Sequence, residues 1–272
     1  MSVKVGIDVG GTFTDFLVLE ERREGPLASI FKVLSTPSDP SIGLVRGLSE
    51  IAESKAMSLG ELARTIDTIV HGTTVTTNAV LTLTGARTGL VTTKGVRDAL
   101  EMRRGIREEQ YNNRYTNVPP LVPRYLRAPV QGRLDYKGDV LEPLILDDVR
   151  KAVRLFAAEG VEAVAICFMN SFANPEHERQ AAAVVEKALP RAYVTVSSEL
   201  LPSIRFYDRV STTVLNSYVG PKLSSYLDSL MARLKEIGFG GVLLVMQSNG
   251  GVMAPEVARK GRLKMTDHSP WS

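Results

Sequence analysis

The chain has 272 residues, with 33 basic side chains against 30 acidic ones and a net charge of +3. So even a balance does not build the basic surface that a nucleic-acid partner requires, and no apolar run approaches the roughly 20 residues needed to cross a bilayer. The length suits one large domain or two ordinary ones. The single cysteine, Cys167 in the run AVAICF, cannot form an internal disulfide, so a cytoplasmic protein is expected.

Residues 4–15 read KVGIDVGGTFTD. Val5, Ile7 and Val9 alternate with Gly6 and Asp8, which is strand spacing. Gly10 and Gly11 can take backbone angles closed to other residues and let a turn come close to a ligand. Successive N–H groups, the hydroxyls of Thr12 and Thr14 and one acid at the strand end suit a polyphosphate with its divalent metal, Asp8 holding the metal. The same residues also suit an ordinary hairpin that only reverses the chain, with Asp15 as a turn cap.

Strands are expected at 16–20 and 28–34, joined by a polar link and forming an antiparallel meander with the first. Pro37, Asp39 and Pro40 open a helix reaching about Ile51, and Ser58 with Glu61 has the capping-box spacing. Residues 65–72 read as a strand ending at His71, 73–83 as a helix and 87–93 as a strand. His71, Gly72, Thr73 and Thr74 therefore lie at a strand-to-helix junction, where helix N–H groups favour anions. His71 is a candidate phosphate-orienting or acid/base group. A capping threonine beside a structural histidine is the alternative.

Residues 103–127 break the pattern, and a loop this long is usually functional or disordered. Arg103, Arg104, Arg107, Tyr111 and Tyr115 are candidates to line a pocket for an anionic substrate; a solvated excursion pinned by prolines is the alternative. A hairpin at Lys137-Gly138, helices at 147–159 and 175–189 and strands at 161–168 and 192–198 make a second α/β unit. Two helices, about 203–219 and 221–237, are expected on either side of Gly220-Pro221. A last strand, 241–247, enters a turn at 248–251. His177 is expected on a solvated helix face and His268 in the tail, so a zinc site is not expected.

GIDVGGTFTD resembles the first phosphate motif of the actin-like ATPase superfamily, and in this wording the hydantoinase A/5-oxoprolinase family. HGTTVTTNAV (71–80), GARTGLVTTKGVRD (85–98), PLVPR (120–124) and MQSNGG (246–251) extend the resemblance over nearly the whole chain. It implies an α/β chain with a ribonuclease-H-like phosphate-binding unit at 1–100, the loop at 101–127, a second α/β unit at 128–200 and a helical segment at 201–240. Residues 241–272 would be the first strand of a second ATPase half plus an atypical tail. It further implies ATP and Mg2+, with Asp8, His71 and Thr73 in the chemistry. Gly10, Gly11, Thr12, Phe13, Thr14, Asp15, Gly72 and Thr74 would bind the nucleotide.

The implied reaction is phosphorylation of a carbonyl oxygen, in a cyclic amide, an imide or an enolate, for ring-opening hydrolysis or carboxylation. A second subunit is implied as partner, with the related acetone and acetophenone carboxylases as the other branch. Two departures stand out. Residues 202–207 read PSIRFY where the family commonly has P-E-x-R-E-Y, and the aspartate–glycine–threonine motif does not recur after Asp8. Truncation is the resulting expectation, with an inactive chain that only docks to a partner as the alternative. A sugar kinase would need a cysteine-rich zinc segment, which one cysteine cannot supply.

Overall fold

The computed structural model describes residues 2–36, 39–105 and 108–259. Pro37, Arg107, His268 and the tail from 260 lie outside these. In chain order the elements are β1 (Val3–Val9), β2 (Phe13–Arg22), β3 (Gly25–Leu34), α1 (Pro40–Ser54), α2 (Leu59–Thr65), β4 (Ile66–Thr73) and α3 (Val75–Leu81). Next come β5 (Thr88–Thr93), α4 (Ala99–Met102), a 3-10 turn (Arg124–Leu126), β6 (Arg127–Val130), β7 (Arg133–Leu134), β8 (Val140–Glu142), α5 (Leu146–Ala158) and β9 (Ala163–Cys167). The chain continues through α6 (Glu176–Ala188), β10 (Tyr193–Val196), α7 (Ser197–Leu200), α8 (Phe206–Glu236), β11 (Val242–Met246), β12 (Val252–Met253) and α9 (Pro255–Arg259). Among the described residues no helix is long and apolar enough to cross a membrane.

Two compact units result, residues 2–84 with 222–259 and residues 85–221. The first holds a sheet of order β12-β11-β4-β1-β2-β3, in which β1, β4 and β11 run parallel and β2 and β3 antiparallel to their neighbours. Val5, Ile7 and Val9 alternate inward with Phe16, Val18 and Ile69, meeting Leu44, Leu48 and Ile51 of α1 and Leu227 and Leu230 of α8. This is the half-buried pattern that period-two alternation produces. The capping box forms as read, Glu61 N–H donating to Ser58 Oγ and Ser58 N–H to the Glu61 carboxylate.

The second unit holds an all-parallel sheet, β10-β9-β5-β6, and the separate hairpin β7-β8. All of β5 and β9 is buried, the mark of strands covered on both faces. Inside it Glu178 is fully buried and accepts from the Phe168 and Ser198 N–H groups and the Ser171 and Ser197 hydroxyls, at 2.6–2.8 Å. The buried Arg209 guanidinium donates to the Phe168 and Ser203 carbonyls.

Several expectations are corrected. The link at 21–27 is mostly strand, β2 and β3 pairing as far as Arg22 with Gly25 and leaving a two-residue turn at 23–24. Residues 87–93 belong to the second sheet, so the boundary falls near 84 instead of 100. The strand at 241–247 does not open a separate half: β11 pairs in parallel with β4. Gly241 permits the approach, since a β-carbon there would lie 2.5 Å from the Asp67 carbonyl. The two expected helices are one, α8 passing through Pro221. Proline removes one helical hydrogen bond, but Tyr218 and Val219 before it and Leu223 and Leu227 after it are all buried and sustain the turns on either side. His177 is buried instead of solvated, and burial lowers its pKa.

Candidate functional site

The parallel strands β1, β4 and β11 end on the same side of their sheet, where ligands of open α/β sheets gather. Asp8 is exposed at the end of β1 and has no ion-pair partner among the described residues. It faces Asp15 across the antiparallel ladder and Gly72 across the parallel one. Asp15 is paired with Lys32 at 3.1 Å, and the Lys32 ammonium also stands over the Phe13 ring, 5.0 Å from its centre. Two carboxylates directly opposite repel, and a bound cation relieves that repulsion.

Neither Gly10 nor Gly11 adopts a positive φ, so the left-handed backbone expected of this pair is not what the turn uses. Gly10 is there for close approach: a β-carbon would sit 3.1 Å from the Phe13 carbonyl, which accepts the Gly10 N–H at 3.0 Å. That bond removes the Gly10 N–H from any ligand. The exposed Gly11 and Thr12 N–H groups, by contrast, make no hydrogen bond among the described residues, and the Thr12 hydroxyl is likewise without a partner.

Thr14 points the other way. It is fully buried, its hydroxyl 3.0 Å from Ser35 Oγ, and Ser35 Oγ donates to the Gly10 carbonyl at 2.8 Å. It braces the turn and cannot reach a phosphate. His71 is corrected in the same way: it is fully buried, opposite Ile7 in the ladder, and burial lowers its pKa to about 4. A neutral core imidazole does not serve as acid or base toward a ligand on the outer face. Both reversals were latent in the alternation, since Thr14 is two residues from Phe16 and His71 two from Ile69.

The β4–α3 turn is fastened to the end of β1. The Thr74 N–H and hydroxyl both donate to the Val9 carbonyl, at 3.2 and 3.3 Å, and Thr73 Oγ1 accepts the Val75 N–H at 3.3 Å. Asn78, given no role from the sequence, donates to Thr74 Oγ1 at 3.2 Å, and its amide nitrogen is 3.6 Å from where a Gly11 β-carbon would stand. The only hint was its place in the TTNA run. The structure thus gathers Asp8, Gly11, Thr12, Gly72, Thr74 and Asn78 at one end of the sheet.

In the Arg/Tyr loop, for which an anion pocket and a solvated excursion are the two readings, Arg103 and Arg104 are engaged within the chain. Arg103 pairs with Glu108, which also accepts from Tyr115, and Arg104 pairs with Asp208 at 2.8 Å. The Arg103 guanidinium pulls the Glu108 carboxyl down to about 2. Tyr111 stands exposed in solvent.

The chain is a mixed α/β protein that carries an acid and a glycine-threonine turn at the ends of parallel strands. Residues 4–189 match the hydantoinase/oxoprolinase N-terminal region and residues 209–269 the hydantoinase/oxoprolinase family. The chain belongs to the hydantoinase/oxoprolinase family. It is 37% identical over 271 residues to caprolactamase subunit alpha of Pseudomonas jessenii, covering 99% of this chain and 38% of that one. The crystal structure of the ATP-dependent caprolactamase from that organism superposes with a TM-score of 0.86 at 38% identity, over 93% of this chain and 36% of the other. A nucleotide-free acetone carboxylase, described with ATP-dependent acetone carboxylation, gives 0.82 at 30% identity, over 95% and 38%. The chain therefore spans under two-fifths of the length of these relatives.

Proposed function

We propose that this chain carries the first phosphate-binding strands and turns of an ATP-dependent enzyme that phosphorylates a carbonyl oxygen. The substrate would be a cyclic amide or imide, or an enolate, activated for ring opening or carboxylation. The sheet order and the β1–β2 turn support the ribonuclease-H-like, actin-like ATPase assignment. One observation carries the reading: Asp8, exposed and unpaired, stands beside the two free N–H groups of Gly11 and Thr12, with a glycine opposite it.

These residues fit Mg-ATP. Among the described residues no three His, Cys, Asp or Glu side chains stand together, and Mg2+ commonly takes one or two carboxylates, with water and phosphate as its other ligands. Asp8 would hold the ion directly or through water. The Gly11 and Thr12 N–H groups and the Thr12 hydroxyl would orient phosphate oxygens, and Asn78 would close the far side of the turn. Mg-ATP supplies an activated phosphoryl group, which makes a poor leaving oxygen a good one. Caprolactamase subunit alpha is by name one subunit of a larger enzyme, and a separately folded partner subunit is proposed here too.

The test is calorimetric titration with Mg-ATP of the chain and of Asp8→Asn. Saturable binding, weakened at least about tenfold in the variant, is expected. Equal binding by both proteins would overturn the metal role of Asp8.

A second reading, docking without catalysis, is favoured by the outward face of β2 and β3, where Leu17 and Ile30 are exposed directly opposite each other. A monodisperse monomer that binds no apolar dye would count against it.

A further inference from the structure

We propose that Tyr226 of α8 is a positioning residue for the β4–α3 turn, acting on it through His71. The functional consequence rests on the phosphate-site reading; the structural one does not.

His71 is the starting point. Its Nε2 lies 2.8 Å from the Tyr226 hydroxyl, the rings 5.6 Å apart and inclined at 41°. Its Nδ1 is buried without a hydrogen-bond partner. A buried polar atom left unpaired is destabilising, so packing alone would favour Ile or Val beside Ile69. What the imidazole adds is a polar grip on Tyr226 at the residue before Gly72, the glycine that faces Asp8.

The grip continues outward. Two residues on from His71, Thr73 Oγ1 accepts the N–H of Val75, the first residue of α3. Thr74 is tied to Val9, next to Asp8. One phenol buried among Leu223, Leu227 and Leu230 therefore fixes the last inward side chain of β4, two residues before the backbone leaves the sheet. α8 is itself anchored nearby, Arg233 donating to Asp39 at 2.9 Å and to Ser41 at 2.8 Å at the start of α1.

Tyr226→Phe keeps the ring and removes only the hydroxyl. Hydrogen–deuterium exchange of the full chain, wild type and variant, with and without Mg-ATP, tests the proposal. Expected is exchange about five- to tenfold faster over residues 72–78, a lowered unfolding midpoint because His71 Nε2 loses its partner, no comparable acceleration in β2 and loss of Mg-ATP protection over 72–78. Identical exchange over 72–78 in wild type and variant would overturn it. Should Tyr226→Phe unfold the chain, His71→Leu removes the other partner of the same bond; the same local acceleration supports the proposal and its absence overturns it. If Mg-ATP protects neither protein but the nucleotide-free difference persists, the phosphate reading fails and the positioning role stands.

Discussion

Gly72 lies directly across the parallel ladder from Asp8, and a β-carbon at Gly72 would stand 3.3 Å from Asp8 Oδ1. That contact is tight, and the carboxylate would have to rotate to relieve it. Gly72→Ala is therefore expected to weaken Mg-ATP binding about fivefold, or about 1 kcal/mol, while leaving the denaturation midpoint nearly unchanged. Parallel titration and thermal melts check both halves of the statement.

Gly47 of α1 allows the Phe16 ring to lie against the helix backbone; a β-carbon would fall 2.1 Å from the ring. Phe16 is fully buried and has no room to retreat. Overpacking a filled core costs about 1–3 kcal/mol, and Gly47→Ala is expected at or above the upper end. Urea denaturation gives the value, and a loss below about 0.5 kcal/mol would show that the core yields more easily than its packing implies.

Glu178 holds four hydrogen bonds in the second unit. Gln in its place would turn one acceptor oxygen into a donor facing donors. Glu178→Gln is expected to destabilise the chain by about 3 kcal/mol, the scale for breaking a buried charged network. Chemical denaturation at neutral pH measures it, and a stability equal to wild type would contradict the network.

His71 predicts a pH dependence. Burial lowers its pKa from 6.5 in the unfolded chain to about 4 in the fold. Between those values the unfolded state binds more protons, so stability rises with pH through the window. The contribution is complete above about 6.5 and is lost progressively as pH falls toward 4, on the order of 3 kcal/mol in all. His177 shifts in the same direction, so the difference between wild type and His71→Gln isolates the term. A variant with the wild-type slope between pH 6.5 and 4 would refute the assignment.

Much of the site was legible because its chemistry is local. Asp8, Gly11 and Thr12 sit within five consecutive residues, and alternation places Asp8 on the face opposite Val5, Ile7 and Val9. The capping box and the β7–β8 hairpin were legible for the same reason: partners a few residues apart meet whatever the rest of the chain does. The motifs from Lys4 to Gly251 were enough to identify the family.

Sequence by itself thus determined most of the longer elements, the place of the β1–β2 turn and the family. Tertiary structure alone decided which sheet β5 and β11 join, because strand pairing is hydrogen bonding between distant segments that no local pattern encodes. It also decided that α8 survives Pro221, since buried neighbours on both sides outweigh one lost hydrogen bond. And it turned His71 and Thr14 from ligand candidates into internal braces: alternation assigns a side chain to a face, but only the packed helices α1 and α8 show which face is closed to solvent.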